Sequence, residues 1–163
     1  MKKLLIGATL VGLALAGSGY GALSKSSGTS VQKQATLYQI ESIERTWHKA
    51  ASFKNLNLMM SIWAPNSVAV IGGKAYTGKA DIRTLFSKAG PFQPQNHWLS
   101  DTPAYKIRST VNGNKGTLYF ECHYIDIDTG KVAIVVGANL DVQKINGKWL
   151  IAHLSSSTPT LQP

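Results

Sequence analysis

Asn146-Gly147 separates two runs of strand-forming residues, the strongest short-range signal for a tight hairpin turn, and the closing hairpin it sets organises the rest of the chain. Asn-Gly accepts the positive φ angles of a two-residue hairpin turn whose twist matches that of both arms. On the first arm Val132, Ile134, Val136, Ala138, Leu140 and Val142 alternate with smaller or polar residues. On the second, Trp149 and Ile151 alternate with Leu150 and Ala152, and a lone His153 precedes Ser155, Ser156 and Ser157. With Asn146 and Gly147 as the loop, Ile145 faces Lys148 and His153 faces Leu140. Directly opposed residues share a face, and a slip of one residue reverses every side chain. Counting therefore puts His153 on the apolar side, and Ser155 and Ser157 extend that face by the strand period of two.

The same counting works upstream. A two-residue turn at Asn112-Gly113 lets Tyr105, Ile107, Ser109 and Val111 share a face with Leu118, Phe120, Cys122 and Tyr124. A three-residue turn at Asp128-Thr129-Gly130 then sets those even positions beside Val132, Ile134, Val136 and Ala138. Three turns thus bring the apolar residues of four strands to one side, an agreement across levels that supports the register. Glu121, His123, Asn139 and Asp141 fall on the other side, facing solvent or a partner subunit. A two-residue turn at Thr129-Gly130 would reverse that assignment.

Before the meander the pattern is helical. Thr36 and Gln39 fit a capping box, and Leu37, Ile40, Ile43, Glu44, Trp47 and Ala50 step by three and four along one stripe. His48 is read as solvated on the polar side of that helix. Asn55 to Trp63 forms a second helical piece that Pro65 stops. Ser67–Ile71 and Lys74–Thr77 form a hairpin around Gly72-Gly73. Gly78 to Phe86 is a short helix with Ile82, Leu85 and Phe86 buried, and Pro103 interrupts the strand that follows.

Met1-Lys2-Lys3, the apolar run Leu4 to Leu15 and the Ala14-Leu15-Ala16 pattern read as a cleaved secretory signal. The run falls short of the roughly 20 residues a spanning helix needs, and an uncleaved anchor is the lesser alternative. The expected organisation is a signal at 1–16 (or as far as about 22), a flexible Gly/Ser-rich leader over 17–35, one domain over 36–159 and a tail at 160–163. The protein is expected to be exported, periplasmic or extracellular, without stable membrane insertion after cleavage. Removing Lys2 and Lys3 lowers the formal charge from +9 to +7. What remains is scattered rather than clustered, which disfavours nucleic acid and an acidic partner protein. Cys122 is the only cysteine, so there is no intrachain disulfide. Four unclustered histidines make no metal site, no cofactor is expected, and no phosphate loop, nucleophile elbow or HExxH motif occurs.

Two helices, a hairpin, a short helix and a four-strand meander are the element order of a cone-shaped α+β fold. The segment WAPNSVAVIGGKAYTGKADIRTLF, Trp63 to Phe86, resembles the SnoaL-like, nuclear-transport-factor-2-like superfamily. The closing GKWLIAHLSSSTP is similar to the last strand of SnoaL-like proteins and of the calmodulin-dependent kinase association domain. Trp149, His153 and Ser157 match the Trp, His and Ser spacing there, while Ser155 stands where those relatives often carry a second His. The resemblance implies a curved, mixed, mostly antiparallel sheet wrapped around N-terminal helices, with a pocket inside the cone and a homodimer through the outer face of the sheet. It also implies either binding or chemistry, since relatives include isomerases, dehydratases and cyclases that place a base in an apolar pocket.

The concave positions carry no Asp or Glu, which favours binding. The expectation is an exported domain that holds a small apolar or aromatic molecule, or a dimeric assembly module; the alternative is an isomerase or dehydratase with His153 as general acid/base and Tyr124 as its partner. The ligand-binding set is His153, Tyr124, Ser155, Cys122, Phe120, Leu140, Trp63, Trp47 and His97. His153 as a hydrogen-bonded core histidine, and Tyr124 and the tryptophans as core aromatics, are the alternative readings of those residues.

Overall fold

The computed structural model describes residues 21–157. Helix α1 spans Gly21–Ser52 and α2 Leu56–Met60. Strands β1 (Trp63–Ile71) and β2 (Lys74–Thr77) form a hairpin, followed by α3 (Gly78–Lys88). Then come β3 (Trp98–Asp101), β4 (Arg108–Asn112), β5 (Lys115–Asp126), β6 (Lys131–Ile145) and β7 (Lys148–Ser157). The strands build one seven-stranded sheet in the order β2-β1-β7-β6-β5-β3, with β4 also paired to β5. Among the described residues only β1 and β7 run parallel. The architecture is α+β: a mixed, mostly antiparallel sheet curved around α1 and α3.

The expected leader is a point of difference. Residues 21–35 belong to α1, and Thr36 is not a cap: its hydroxyl donates to the Gln32 carbonyl at 2.9 Å, one turn back inside the helix. A Ser/Thr hydroxyl can satisfy itself this way within a helix, so the capping signature was a coincidence of spacing. The signal segment 1–16, leader residues 17–20 and the tail 160–163 lie outside the described residues. No helix among the described residues is long and apolar enough to cross a membrane.

The stripe on α1 packs as its spacing requires. Ile40, Ile43, Trp47, Ala50 and Ala51 are all buried. Trp47 sits at the centre of an aromatic cluster, edge-on to Phe86 of α3 at 5.1 Å and to Phe120 of β5 at 5.6 Å. Edge-to-face pairs of this kind add roughly 0.5–1.5 kcal/mol beyond their buried area.

Register is where turn counting meets its limit. The turn between β4 and β5 uses Gly113 and Asn114 rather than Asn112 and Gly113, which shifts the pairing by two and leaves the parity unchanged: odd positions of β4 still face even positions of β5, with Ser109 opposite Leu118. Between β5 and β6 four residues connect Asp126 to Lys131, which alone would reverse the faces. A bulge at Ala133 reverses them back, so Tyr124 opposes Ile134, Cys122 opposes Val136 and Phe120 opposes Ala138. From Tyr124 to Phe120 the expected phasing holds by a different route, but Val132, expected on the inner face, lies before the bulge and opposes Ile125 on the outer one.

Between β6 and β7 it fails. The Asn146-Gly147 turn forms as expected, and Val142 opposes Ile151, but Ala152 is then extra and His153 opposes Asp141. The parallel neighbour β1 shifts register at the same level, between Trp63 and Val68, where Pro65 has no N–H to give a ladder. The bulge turns His153 to the outer face and Leu154 to the inner one. Burying a leucine is worth roughly 1.5–3 kcal/mol, whereas burying an unpartnered polar group costs about 1–3 kcal/mol. Both terms favour the bulged register.

Candidate functional site

A cavity of about 760 Å³ opens between the concave face of β5, β6 and β7 and the helices. Its floor is Trp47 and Phe86. The sheet wall carries Cys122 and Tyr124 from β5, Val136 and Ala138 from β6, and Leu154 and Ser156 from β7. The third side is Phe92 and Trp98, with the Trp98 ring lying against Gly90. A Cβ at Gly90 would stand 2.8 Å from Trp98 Cζ3, so the bare glycine is what lets the indole close that wall.

Among the described residues, no carboxylate, imidazole, guanidinium or ammonium group lines this cavity. Its polar groups are neutral. Burial pushes the Cys122 thiol up to about 12, and it pushes the Tyr124 phenol well above its ordinary range. Tyr124 is only 6% exposed, and its oxygen accepts a hydrogen bond from Trp47 Nε1 at 3.4 Å.

Of the sequence-derived candidates, the structure brings Tyr124, Cys122 and Trp47 together on this wall. Phe120, Leu140 and Trp63 are buried behind it as core, Phe120 against Trp47 and Trp63 against Phe86. His153 and Ser155 do not reach it. The Ala152 bulge carries both to the outer face, where the His153 side chain is 43% exposed with Nδ1 3.7 Å from Asp141 Oδ2. His153 is therefore neither a base in the cone nor a core histidine. His97 is also outside, exposed and paired with Asp128 at 2.8 Å. Leu154 and Ser156 take the inner positions that turn counting gave to His153 and Ser155.

A second group of polar residues lies beneath α1. His48 is buried rather than solvated, and its ring stacks edge-on to Phe120 at 5.6 Å. Thr102 donates its hydroxyl proton to the Glu121 carbonyl, so at its contact with His48 Nε2 the imidazole must be the donor. The buried Glu44 carboxylate lies 3.1 Å from the same nitrogen, and Nδ1 meets Ser100 Oγ at 2.6 Å. The row has the order acid, imidazole, hydroxyl, but Ser100 lies under α1 and does not line the cavity. What it does is fasten α1 to the β3 edge, with every member satisfied. The signal was present in the sequence: Glu44 and His48 are one turn apart, and Glu44 already sits in the apolar stripe.

Glu121 and His123 lie on the outer face, as their parity requires, but Glu121 is not open to water. A single layer of side chains covers it: Lys106 at 3.1 Å, the Tyr119 hydroxyl at 3.0 Å and His123 at 3.5 Å. Burial acts to raise its pKa, and the hydrogen bonds from Lys106, Tyr119 and His123 outweigh it, leaving the carboxyl below its usual value. Among the described residues no three His, Cys, Asp or Glu side chains converge as metal ligands.

No protein-family profile matches the sequence, and no curated protein matches it. Solved structures do match the fold. An NTF2-like protein with a cystatin-like fold from Novosphingobium aromaticivorans superposes with a TM-score of 0.69 at 11% identity, covering 88% of this chain and 94% of that one. An NTF2-like protein of unknown function from Pseudomonas putida gives 0.67 at 13% identity, covering 77% and 88%. A protein of unknown function with a cystatin-like fold from Nostoc punctiforme gives 0.64 at 14%, covering 77% and 92%. At these identities the likeness carries the fold: the chain adopts the NTF2-like α+β cone.

Proposed function

We propose that this protein binds a small, uncharged, apolar or aromatic molecule inside its cone. The observation that carries the reading is the cavity of about 760 Å³, walled by aromatic and aliphatic side chains and, among the described residues, free of charged lining groups. Its volume lies within the range of small-molecule pockets. A charged guest would be desolvated there with no counter-ion, at a penalty of several kcal/mol, so a neutral one is favoured. Proton abstraction needs a base within reach of the guest, and the imidazole assigned that role points away from the cavity. Binding is thus better supported than isomerase or dehydratase chemistry. The basic start and apolar run of residues 1–16 support export as the setting.

The neutral fluorescent probe N-phenyl-1-naphthylamine tests this. It is expected to bind saturably at one site per chain. Val136→Trp should abolish that binding while leaving the circular dichroism of the fold intact, because the new indole fills the cavity. Absence of saturable binding, or equal binding by the variant, refutes the reading.

A second reading concerns the outer face of the sheet. Leu99 and Val132 are about half exposed there, beside the less exposed Ile125 and Val135, while Arg108 and Asp141 lie on the same face. An apolar patch flanked by both signs of charge suits a second copy related by a twofold axis. Sedimentation velocity should then give a dimer, and Val132→Lys a monomer.

A further inference from the structure

A β-strand presents N–H and C=O groups along both edges, and each group needs a partner in the sheet or in water. Toward β5, strand β6 is paired from Lys131 to Gln143. Toward β7, pairing runs from Ile145 only as far as Gly137, opposite Ser157, where β7 ends. Among the described residues, the edge of β6 over Lys131–Val136 therefore has no partner strand on that side. Open edges in natural sheets are blunted with charge, proline or a covering loop. This one reads Lys-Val-Ala-Ile-Val-Val and carries a charge only at its start; Val132 is 54% exposed and Ile134 45%. The chain's own continuation is ill suited to the place, since Pro159 and Pro163 have no N–H to add to a ladder.

The same edge borders the cavity. Ile134, Val135, Val136 and Gly137 line it one after another, so the cavity meets the edge of β6 and not just one face of the strand. Across the opening lie Ile71 and Gly72, at the end of β1. Ile134 and Val136 are inner-face residues, opposite Tyr124 and Cys122. A strand laid antiparallel along this edge, in line with β7, has every second side chain on their face, over the cavity. Sheet edges take up extended peptides in this way: the ladder supplies affinity, and a pocket beside it reads alternate side chains.

We infer that the cone takes up a short extended peptide, or the exposed end of a longer chain, which pairs with β6 over Lys131–Val136 and lowers one apolar or aromatic side chain into the cavity. This rests on the cavity-binding reading above and gives the guest a backbone. Recognition then has two parts, a ladder indifferent to sequence and a pocket that accepts only an uncharged side chain. A carboxylate or ammonium at the inward position is rejected because it is desolvated without a counter-ion.

The test titrates the capped peptide acetyl-Ser-Val-Phe-Val-Ser-amide into the full-length chain loaded with N-phenyl-1-naphthylamine. The peptide should displace the dye, and the same peptide with Asp in place of Phe should not. Methylating the backbone nitrogens of both Val residues, or those of Phe and the second Ser, removes N–H groups from opposite edges of the peptide. One isomer should bind about tenfold or more weakly, through its lost hydrogen bonds, and the other as the parent does. In hydrogen exchange, the amide protons of residues 131–136 that point away from β5 should exchange freely in the unliganded chain and become protected with the peptide bound. If they are protected beforehand, the edge is already filled by the chain's tail or by a second copy, and this inference is overturned. It is overturned as well if the dye binds but the peptide does not displace it, or if both methylated isomers bind equally; the cavity reading then stands. If the dye does not bind, the cavity reading falls and takes this one with it.

Discussion

Leu154→Ala and His153→Ala, measured side by side, give the sharpest test of the register on which the site depends. Leu154 is 2% exposed, packs opposite Leu140 on the inner face and forms part of the cavity wall. Large-to-small substitutions of buried leucine cost about 2–5 kcal/mol, the spread reflecting the new void each leaves. One side of Leu154 already borders empty space, so some of its contacts are absent in the native protein. The loss should therefore sit at the low end, about 2–3 kcal/mol. At roughly 2–4 °C per kcal/mol for a chain of this size, that lowers Tm by about 4–12 °C. His153, with its side chain 43% exposed and 3.7 Å from a carboxylate that is itself 68% exposed, should change stability by no more than about 0.5 kcal/mol. Urea unfolding followed by tryptophan emission reads both, and the midpoint should fall for Leu154→Ala at constant slope. Turn counting without the bulge at Ala152 requires the opposite order. A larger loss for His153→Ala than for Leu154→Ala would refute the assignment of inner and outer faces, and the cavity wall with it.

Two further outcomes follow from the polar clusters. His48→Leu strands the buried Glu44 carboxylate and the Ser100 and Thr102 hydroxyls together; unfolding free energy should drop by about 3 kcal/mol, and added Glu44→Leu should recover part of it in a double-mutant cycle. Glu121 has a folded pKa lowered from 4.5, so its contribution is complete above that value and is lost as pH falls through the lower folded one. The urea midpoint should decline on acidification below about pH 4.5, and Glu121→Gln should flatten that part of the profile; an unchanged profile counts against the Lys106, Tyr119 and His123 bonds holding the carboxylate ionised.

The sequence by itself determined most of what depends on neighbours in the chain. Asn146-Gly147 set the last hairpin, the three-and-four spacing from Ile40 to Ala51 set the buried face of α1, and alternation along β5 turned Cys122 and Tyr124 inward and Glu121 and His123 outward. These are matters of backbone φ, ψ and side-chain period, and a local pattern encodes them fully. The tertiary structure decided the rest. Whether Ala152 or Ala133 is squeezed out of its ladder depends on what the other strands and the core accept: a leucine rather than an imidazole inside, and a β1 broken at Pro65 alongside. The pairing of His48 with Ser100 and Thr102 spans more than fifty residues, and no local spacing announces it. One inserted residue reverses a strand's faces at almost no local energetic cost. For that reason the candidate site moved from His153 to the wall around Tyr124, while the fold stayed as the pattern required.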